Sequence, residues 1–530
     1  MNRWMLFFTV FSVLAGCSAR QQSNQTNDIQ TQAATEVVMT SAYDAHFLRC
    51  RGNDAGQLQS VLNKALSSTG VILYFHGGLS SDNYMRTNLG PALLESMFTE
   101  ANLNGLYPIF VNYDAGVLDD VSVGDLITSA AYQNLQSRVL SRLNLESNNK
   151  GLKLNNQVDV QQAAMSVLIG VGADGSNLKS NFKQNAVDDN ERFAAAVLAE
   201  QKELAIAASN IQQRDPELYK AAQQFAELYN ELETDPAQKK AKSLFIGINA
   251  SKMLAKIFAR FALTLNHQIE PTIFEEVVRE LSLFNVINAG AVMQSHWTKV
   301  KKHSEECWQD GSNGARLIAQ LLAHQAEHSD FKISAISHSA GSIVIGDLLK
   351  HLAANGDGKL DNTVLLVPAI SLELFQQSFM KYPERVGKLK AYVLADSYER
   401  RDELFGGIYA ASLLYGVSGI GETDGFGDKP LLLERHLGSK KHPYDKWYYR
   451  LLLGEDIRPV WQFVEQHPGL VEYYPFNPAN DSGATHECTK YPWRVADLAK
   501  LSMAQLSGLA AENVTILVPH DAPTCKPAGY

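Results

Sequence analysis

The sequence has no block rich in lysine and arginine, and its 57 acidic residues outnumber its 47 basic ones, for a net charge of −10 over 530 residues. Proteins that bind nucleic acid need clustered cations to neutralise phosphates. We therefore expect no nucleic-acid partner. With 45% hydrophobic residues the chain can bury a large core, and its length allows two to four domains.

The first apolar run, Trp4 to Val13, is too short to span a bilayer stably. A positive charge at Arg3 precedes it and a polar stretch follows it, which is the layout of a secretion signal. We predict that residues 1–16 are a signal peptide. Residues 17–40, rich in Gln, Asn, Thr, Ser and Ala, are predicted to be a flexible tether, because they have too little apolar surface to offset the entropy of ordering.

The apolar run ends in Leu14-Ala15-Gly16-Cys17. This ending resembles the lipobox of bacterial lipoproteins, in which the cysteine is diacylated and becomes the mature N-terminus. The resemblance implies that Cys17 is a lipid anchor that ties the protein to the bacterial cell envelope, and Ser18 behind it favours the outer membrane. The alternative is an ordinary signal peptide with an incidental cysteine.

Only five cysteines are present, and none has C-x-x-C spacing, so we expect no metal site. Export would place the four cysteines other than Cys17 in an oxidising compartment, where two disulfides are the default. Three pairings remain open among these four residues. They are Cys50, Cys307, Cys488 and Cys525.

The most informative stretch runs from Phe331 to Lys350. Lys332 to Ile336 is short and apolar and predicts a buried strand, whereas Ile343 to Leu349 has apolar residues at helical spacing. Ser337-His338-Ser339-Ala340-Gly341 lies between them. A strand, a tight turn of small residues with a central serine and a helix together form a nucleophile elbow, whose backbone strain lifts the serine hydroxyl above the sheet edge.

This stretch resembles the α/β-hydrolase superfamily in its lipase and esterase branch, whose usual elbow is G-x-S-x-G. The resemblance implies an α/β fold, a core sheet with helices on both faces, and Ser339 as the nucleophile. Ser337 replaces the first glycine and adds a hydroxyl that must find a hydrogen-bond partner. The alternative is a chance S-x-S-x-G at the start of an ordinary buried helix.

A second strand, Val71 to Phe75, ends in His76-Gly77-Gly78. Glycines after a buried strand let the backbone turn so that amide N–H groups converge on one point. In the resembling family this loop forms part of the oxyanion hole, together with the residue after the nucleophile. The resemblance assigns this role to Gly77, Gly78, Leu79 and Ala340. The alternative is a turn that merely ends the strand, and His76 is expected to be structural.

Four further strands are predicted at Pro108–Tyr113, Thr363–Pro368, Leu389–Ala395 and Leu470–Phe476. In the resembling fold the acid of the triad lies at or just beyond the later of the two strands that follow the elbow. Asp396, Glu399 and Asp402 compete for this role. We prefer Asp396 because a residue at a strand's end is held rigidly, and Asp402 is its stronger rival.

The catalytic histidine of the resembling family follows the last core strand. His486 lies in a loop between that predicted strand and a predicted helix, Arg494 to Leu506, and Cys488 beside it could fix the loop. The alternative is His520, which directly follows an apolar run, Val514 to Val518, that reads as a strand.

Residues 117–299 consist of long helical stretches rich in Ala, Leu, Glu, Gln and Lys, which are typical of an insertion between core strands. We predict that they form a cap or lid, and that residues 41–116 and 300–530 form the core. Gly170 to Gly175 matches G-x-G-x-x-G, but a polar segment follows it, so no dinucleotide cofactor is expected. Gly419 to Gly427 is predicted to be a flexible loop at the rim of the pocket.

These features predict a serine hydrolase that cleaves carboxylic esters through Ser339, His486 and Asp396, with no cofactor and no metal. The expected substrate is a small-molecule or lipid ester. Two alternatives stay open. The same residues could act on amides or thioesters, or the chain could be a catalytically inactive surface-binding lipoprotein that keeps the fold.

Overall fold

The computed structural model contains one seven-stranded sheet flanked by helices, which is an α/β fold. The described parts of the chain are residues 43–78, 80–115, 275, 289–402, 411–422, 429–437, 457–476, 485–486, 488–520 and 522. Several sequence predictions fall outside these ranges. They concern the signal peptide, Cys17, the tether, Leu79, Gly170–Gly175, Cys525 and most of the predicted cap.

The strands are β1 Phe47–Arg49, β2 Gly70–Phe75, β3 Leu106–Asn112, β4 Lys332–His338, β5 Leu360–Leu366, β6 Val386–Leu394 and β7 Val471–Tyr474. Their order in the sheet is β1-β3-β2-β4-β5-β6-β7, and all six pairings are parallel. A parallel sheet is covered on both faces, so its strands are apolar throughout. Accordingly, every residue of β2 is buried.

The longer helices are α1 Ala55–Ala65, α2 Gly90–Ser96, α3 Ala289–Glu306, α4 Asn313–Glu327, α5 Gly341–Asn355, α6 Arg458–Gln466 and α7 Ala496–Ser507. Six short helices lie at Asp82–Tyr84, Glu100–Leu103, Leu372–Phe375, Asp396–Glu399, Leu413–Gly416 and Glu434–Leu437, and three π-helical turns at Met85–Leu89, Gln376–Met380 and Val417–Gly421. Short 3-10 helical turns of three residues each lie at Asp44–His46, Pro383–Arg385, Cys488–Lys490, Pro492–Arg494 and Ala511–Asn513. No helix of the described ranges is both long and apolar enough to cross a membrane.

The two faces of the sheet pack into two separate cores. Leu73 and Phe75 of β2 share one core with residues of α1, α3, α4 and α5. Ile72 and Tyr74 share the other with residues of α2 and α7. Because successive side chains of a strand point to opposite faces, one strand supplies both cores. Helices therefore cover both faces of the sheet.

The six predicted strands are confirmed as β2 to β7, with end positions shifted by a few residues. The sequence analysis did not identify β1, which has only three residues. The predicted strand Val514–Val518 is wrong, because these residues form no regular structure. Val518 is 70% exposed, so the apolar pattern there does not reflect burial in a sheet.

Helix α3 crosses the predicted boundary between cap and core at residues 299 and 300. Trp297, which precedes this boundary, is buried in the same core as α4 and α5. At the other end of α3, the structure joins Cys307 to Cys50, just after β1, in a disulfide with Cα atoms 4.9 Å apart. This is one of the pairings left open by the sequence. Cys488 is also disulfide-bonded.

Candidate active site

The candidate site lies where the order of the strands reverses. From β2 the chain moves to β3 on one side, and from β4 it moves to β5 on the other. In parallel α/β sheets such a point leaves a crevice at the carboxyl ends of the two adjacent strands. His76 follows β2 and Ser339 follows β4, so both loops open into this crevice.

The turn between β4 and α5 has the conformation of a nucleophile elbow. Ser339 has a φ angle of +50°, in the left-handed region that residues with a Cβ atom rarely adopt. Its N–H donates to Leu366 O at 2.9 Å, and its carbonyl accepts from Ala369 N–H at 3.1 Å. The backbone of the loop after β5 therefore holds the strained serine from both sides.

Gly341 allows β2 and α5 to approach each other at the elbow. A Cβ atom added to it would lie 2.3 Å from Phe75 O and 2.9 Å from His76 O. At the other small position, Ser337 is fully buried, and no atom of the described residues is hydrogen-bonded to its Oγ. The hydroxyl that replaces the usual glycine has thus not found the partner that the sequence led us to expect.

Ser339 and His486 meet at the centre of the site. His486 Nε2 lies 3.1 Å from Ser339 Oγ, and both residues are 3% exposed. Burial lowers the pKa of His486 to about 3, with Lys490 adding to the effect. A neutral imidazole at this distance can accept the proton of the serine hydroxyl, which is the pairing required for an activated serine nucleophile.

Asp402 is the carboxylate that contacts His486. Its Oδ2 accepts a hydrogen bond from the backbone N–H of His486 at 2.8 Å, and its side chain is buried. The ring Nδ1 of His486 is buried as well, and it has no hydrogen-bond partner among the described residues. Asp402 therefore holds the backbone of His486. It does not bond Nδ1, the ring nitrogen to which the acid of a catalytic triad is hydrogen-bonded.

The preferred acid, Asp396, lies in a different set of contacts. Its carboxylate accepts a hydrogen bond from Tyr415 Oη and forms an ion pair with Arg400 at 2.5 Å. It begins a short helix, Asp396–Glu399, instead of extending β6. The carboxylate of Asp396 is thus held by Arg400, four residues later, and by Tyr415.

Glu399 is a buried carboxyl group beside these two aspartates. It is 1% exposed. Burial raises the pKa of Glu399 well above its ordinary value; a hydrogen bond with Ser412 opposes this shift, and the nearby Asp402 and Asp396 add to it. A carboxyl group whose charged form is disfavoured in this way is unsuited to stabilise an imidazolium ion.

The other histidine considered, His520, is exposed in a turn near the end of the described chain. The residues before it form no strand, so the context that made it a rival is absent from the described structure. Of the two histidines, the structure brings His486 to Ser339.

The glycine loop after β2 packs directly on the elbow. A Cβ atom on Gly77 would lie 2.9 Å from His338 Nδ1, and one on Gly78 would lie 3.2 Å from Ala340 Cβ. No backbone carbonyl of the described residues is hydrogen-bonded to the N–H of Gly78 or of Ala340. These two amides are therefore available beside Ser339, as an oxyanion hole requires.

His76 begins this loop and lies behind it, fully buried. Its Nε2 is 2.8 Å from Asn112 Oδ1, its Nδ1 is 2.9 Å from Gly77 O, and its ring stacks on Tyr113. Burial lowers the pKa of His76 and so favours the neutral ring, in which only one of the two nitrogens carries a proton. These contacts tie the start of the loop to the end of β3.

The sequence analysis missed a group of residues that supports the glycine loop from α3. Trp297 Cζ3 lies 3.5 Å from the Cβ position of Gly78, and its indole N–H donates to Glu422 Oε1 at 2.7 Å. Lys301 Nζ donates to the other oxygen of Glu422 at 2.7 Å. The three residues are far apart in sequence and form no motif, so only the fold brings them together.

The predicted flexible loop at Gly419–Gly427 is wrong for its first part. Val417–Gly421 is a buried π-helical turn. A Cβ atom on Gly419 would lie 2.4 Å from Glu275 Cδ, so this glycine provides space for a side chain from the inserted region. Residues 423–428 lie outside the described ranges.

Within the described ranges, no cluster of three or more His, Cys, Asp or Glu residues is arranged to hold a metal ion. No family model, curated protein or solved structure matches this chain. The interpretation of the site therefore depends on its geometry and on the chemistry of its residues.

Proposed function

We propose that the protein is a serine hydrolase of α/β-hydrolase type that cleaves carboxylic esters. The observation that supports this most directly is the 3.1 Å approach of His486 Nε2 to the hydroxyl of Ser339, which itself has a φ angle of +50°. A strained serine between a parallel strand and a helix, facing a buried neutral imidazole, has the components of a nucleophilic hydrolase.

In the proposed reaction Ser339 Oγ attacks the ester carbonyl carbon while His486 Nε2 takes the hydroxyl proton. The N–H groups of Ala340 and Gly78 stabilise the oxyanion of the tetrahedral intermediate. His486 then protonates the leaving alcohol, which leaves an acyl group on Ser339. A water molecule, deprotonated by His486, hydrolyses this acyl-enzyme and regenerates the serine.

We assign the role of the acid to Asp402. It is buried and already bonded to the backbone of His486, whereas Asp396 is paired with Arg400 and Tyr415. In the proposed working state its carboxylate also accepts the Nδ1–H of His486, since catalytic hydrogen bonds often tighten only when substrate is bound. This bond fixes the tautomer and stabilises the imidazolium.

We further propose that Cys17 is a lipid anchor in the bacterial outer membrane and that residues 117–299 form a cap over the site. The first part rests on the lipobox resemblance at Leu14–Cys17. The second is supported by Glu275, whose side chain packs against Gly419. Glu275 lies within residues 117–299, and the turn that it contacts, Val417–Gly421, also packs on α3.

A direct test is the turnover of p-nitrophenyl esters by the purified protein. Ser339→Ala is expected to reduce kcat at least about 1,000-fold, because it removes the nucleophile. The matched control is Ser67→Ala, which changes an exposed serine and should leave kcat unchanged. Activity retained in Ser339→Ala would exclude the mechanism.

The leaving group separates the hydrolase alternatives. Esters, thioesters and anilides with the same acyl chain should be compared at equal concentration, and we expect the ester to give the highest kcat/KM. Faster anilide or thioester turnover that depends on Ser339 would instead assign the site to amide or thioester hydrolysis.

The open Nδ1 of His486 favours a second candidate of another class. A histidine without a carboxylate on this nitrogen lacks the group that fixes its tautomer, and this supports the alternative of a surface-binding lipoprotein that keeps the fold. Such a protein would turn over none of the three substrates, and Ser339→Ala would change nothing that is measured.

A further inference from the structure

His338, which precedes the proposed nucleophile, is a buried side chain that the mechanism above does not use. Its Nε2 lies 3.0 Å from Thr489 Oγ1, and Thr489 Oγ1 donates to the carbonyl oxygen of His486 at 2.6 Å. All three residues are buried. The side chain beside the serine is thus connected, through one hydroxyl, to the backbone of the histidine that faces the serine.

The hydrogen bonds of Thr489 fix the protonation of His338. A threonine hydroxyl has one proton, and here it is donated to His486 O, because a carbonyl can only accept. Toward His338 the hydroxyl must therefore accept, so His338 carries its proton on Nε2. Its Nδ1 is then the unprotonated nitrogen.

The same ring also contacts the glycine loop. A Cβ atom on Gly77 would lie 2.9 Å from His338 Nδ1, so the loop backbone passes directly over that edge of the ring. The ring of His338 lies with its centroid 5.4 Å from that of His486. One imidazole is therefore in contact with three segments of the site, which are the elbow, the loop after β2 and the loop that carries His486.

The surroundings keep this imidazole neutral. Burial lowers the pKa of His338 well below its ordinary value; His486, Lys490 and His76 nearby lower it further, and a hydrogen bond with the backbone of His486 acts in the opposite direction. A neutral ring places no cation beside His486, which must itself become positively charged during the proposed reaction. His338 can thus support the loop without opposing the chemistry.

We infer that His338 is a positioning residue. Through the hydroxyl of Thr489 it fixes the distance between His486 Nε2 and Ser339 Oγ. The inference rests on the proposed hydrolase function. It predicts that loss of this connection lets the loop of His486 shift, which impairs proton transfer more than substrate binding. A displacement of about 1 Å from productive geometry can reduce the rate about 100-fold.

Thr489 offers a matched pair of variants for the test. Thr489→Val keeps the shape and removes the hydroxyl, whereas Thr489→Ser keeps the hydroxyl. In p-nitrophenyl ester turnover we expect Thr489→Val to lower kcat about 10- to 100-fold with KM changed less than about twofold. Thr489→Ser should retain most of the wild-type kcat. A merely structural role would lower the yield of folded protein without this split between kcat and KM.

A second pair tests His338 itself, because the hydroxyl of Thr489 bonds His486 O whether or not His338 is present. His338→Gln can place an N–H donor near the position of Nε2, and His338→Asn is too short to do so. We expect the glutamine variant to retain more of kcat than the asparagine variant. Equal kcat in the glutamine and asparagine variants of His338, or in the valine and serine variants of Thr489, would overturn the inference.

The outcomes also separate this inference from the function on which it rests. Turnover that depends on Ser339 but is equal in Thr489→Val and wild type would overturn the positioning role and leave the hydrolase function intact. A wild-type protein without turnover of any of the three substrates would overturn both.

Discussion

Ser339 combines an unfavourable backbone conformation with the most reactive position in the proposed mechanism. A residue with a Cβ atom in the left-handed region costs about 1–2 kcal/mol relative to its ordinary conformation. The φ angle of +50° is held by hydrogen bonds to Leu366 and Ala369 on both sides of the residue. The loop after β5 therefore stabilises a conformation that the serine would not adopt alone.

This strain gives a prediction at the level of one residue. Ser339→Gly is expected to be about 1 kcal/mol more stable than Ser339→Ala, because glycine adopts positive φ without penalty and alanine keeps the Cβ atom. Both variants should lack esterase activity. Urea-induced unfolding of the two purified variants measures the difference.

The control for this prediction is a serine in regular helix. At Ser502, within α7, the order should reverse, and glycine should be less stable than alanine by up to about 1 kcal/mol. The strain argument fails if glycine and alanine at position 339 give equal stability, or if alanine is the more stable.

At the level of elements, the site depends on how closely α5 approaches β2. Helix α5 begins at Gly341, and the carbonyl oxygens of Phe75 and His76 fill the space that a side chain would need there. The helix also contributes Ile343 and Val344 to the larger core. The elbow is thus fixed by main-chain packing, which side-chain rearrangement cannot relieve.

Gly341→Ala is therefore expected to destabilise the protein by about 1–3 kcal/mol, since the Cβ atom would lie 2.3 Å from Phe75 O. It should also lower ester turnover, because the strand and helix that hold Ser339 must separate. Thermal or urea unfolding and kcat measure the two effects.

Gly346 on the same helix is the matched control. A Cβ atom there would lie 3.2 Å from the hydroxyl of Ser378, which can move more easily than a backbone carbonyl. Gly346→Ala should therefore cost less stability than Gly341→Ala. A Gly341→Ala variant as stable and active as the wild type would show that the elbow is less tightly packed than described.

The sequence predicts this part of the molecule well because its determinants are local. The strand, the turn and the helix around Ser339 occupy one stretch from Lys332 to Asn355, and the six longer strands have apolar runs of their own. The three-residue strand β1 has too few residues to show such a pattern. Val514–Val518 shows the pattern without being part of the sheet.

The acid was harder to predict because three carboxylates lie within seven residues. The fold gives these carboxylates different neighbours. Asp396 contacts Arg400 and Tyr415, whereas Asp402 contacts the backbone of His486. Their spacing carries no information on these contacts. The support of the glycine loop by Trp297 and Glu422 depends on the fold in the same way.

At the scale of the whole molecule, the buried histidines link folding stability to pH. Burial lowers the pKa of His76, His338 and His486, the last to about 3. In the unfolded chain a histidine has a pKa of about 6.5. Below that pH the unfolded state binds protons that the folded state does not, so stability is fully present above pH 6.5 and is lost as the pH falls toward the folded-state pKa values.

The buried histidines should therefore lower the free energy of unfolding at pH 5 relative to pH 7, His486 alone by about 2 kcal/mol, whereas Glu399, whose pKa is raised by burial, acts in the opposite direction. Urea-induced unfolding at the two pH values measures it. His338→Gln, which removes one buried titrating group, should reduce the difference between the two values. His328→Gln, a change at an exposed histidine, should leave it unaltered. A His338→Gln variant whose stability changes between the two pH values as much as that of the wild type would contradict the argument.

The proposal as a whole requires that Ser339 be a reactive nucleophile in the folded protein. Covalent labelling with a fluorophosphonate, followed by mass spectrometry of the digested protein, tests this without knowledge of the natural substrate. We predict one adduct on the peptide that contains Ser339, its loss in Ser339→Ala and slower labelling in His486→Asn. A folded wild-type protein that forms no adduct, or an adduct on another serine that persists in Ser339→Ala, would contradict the account.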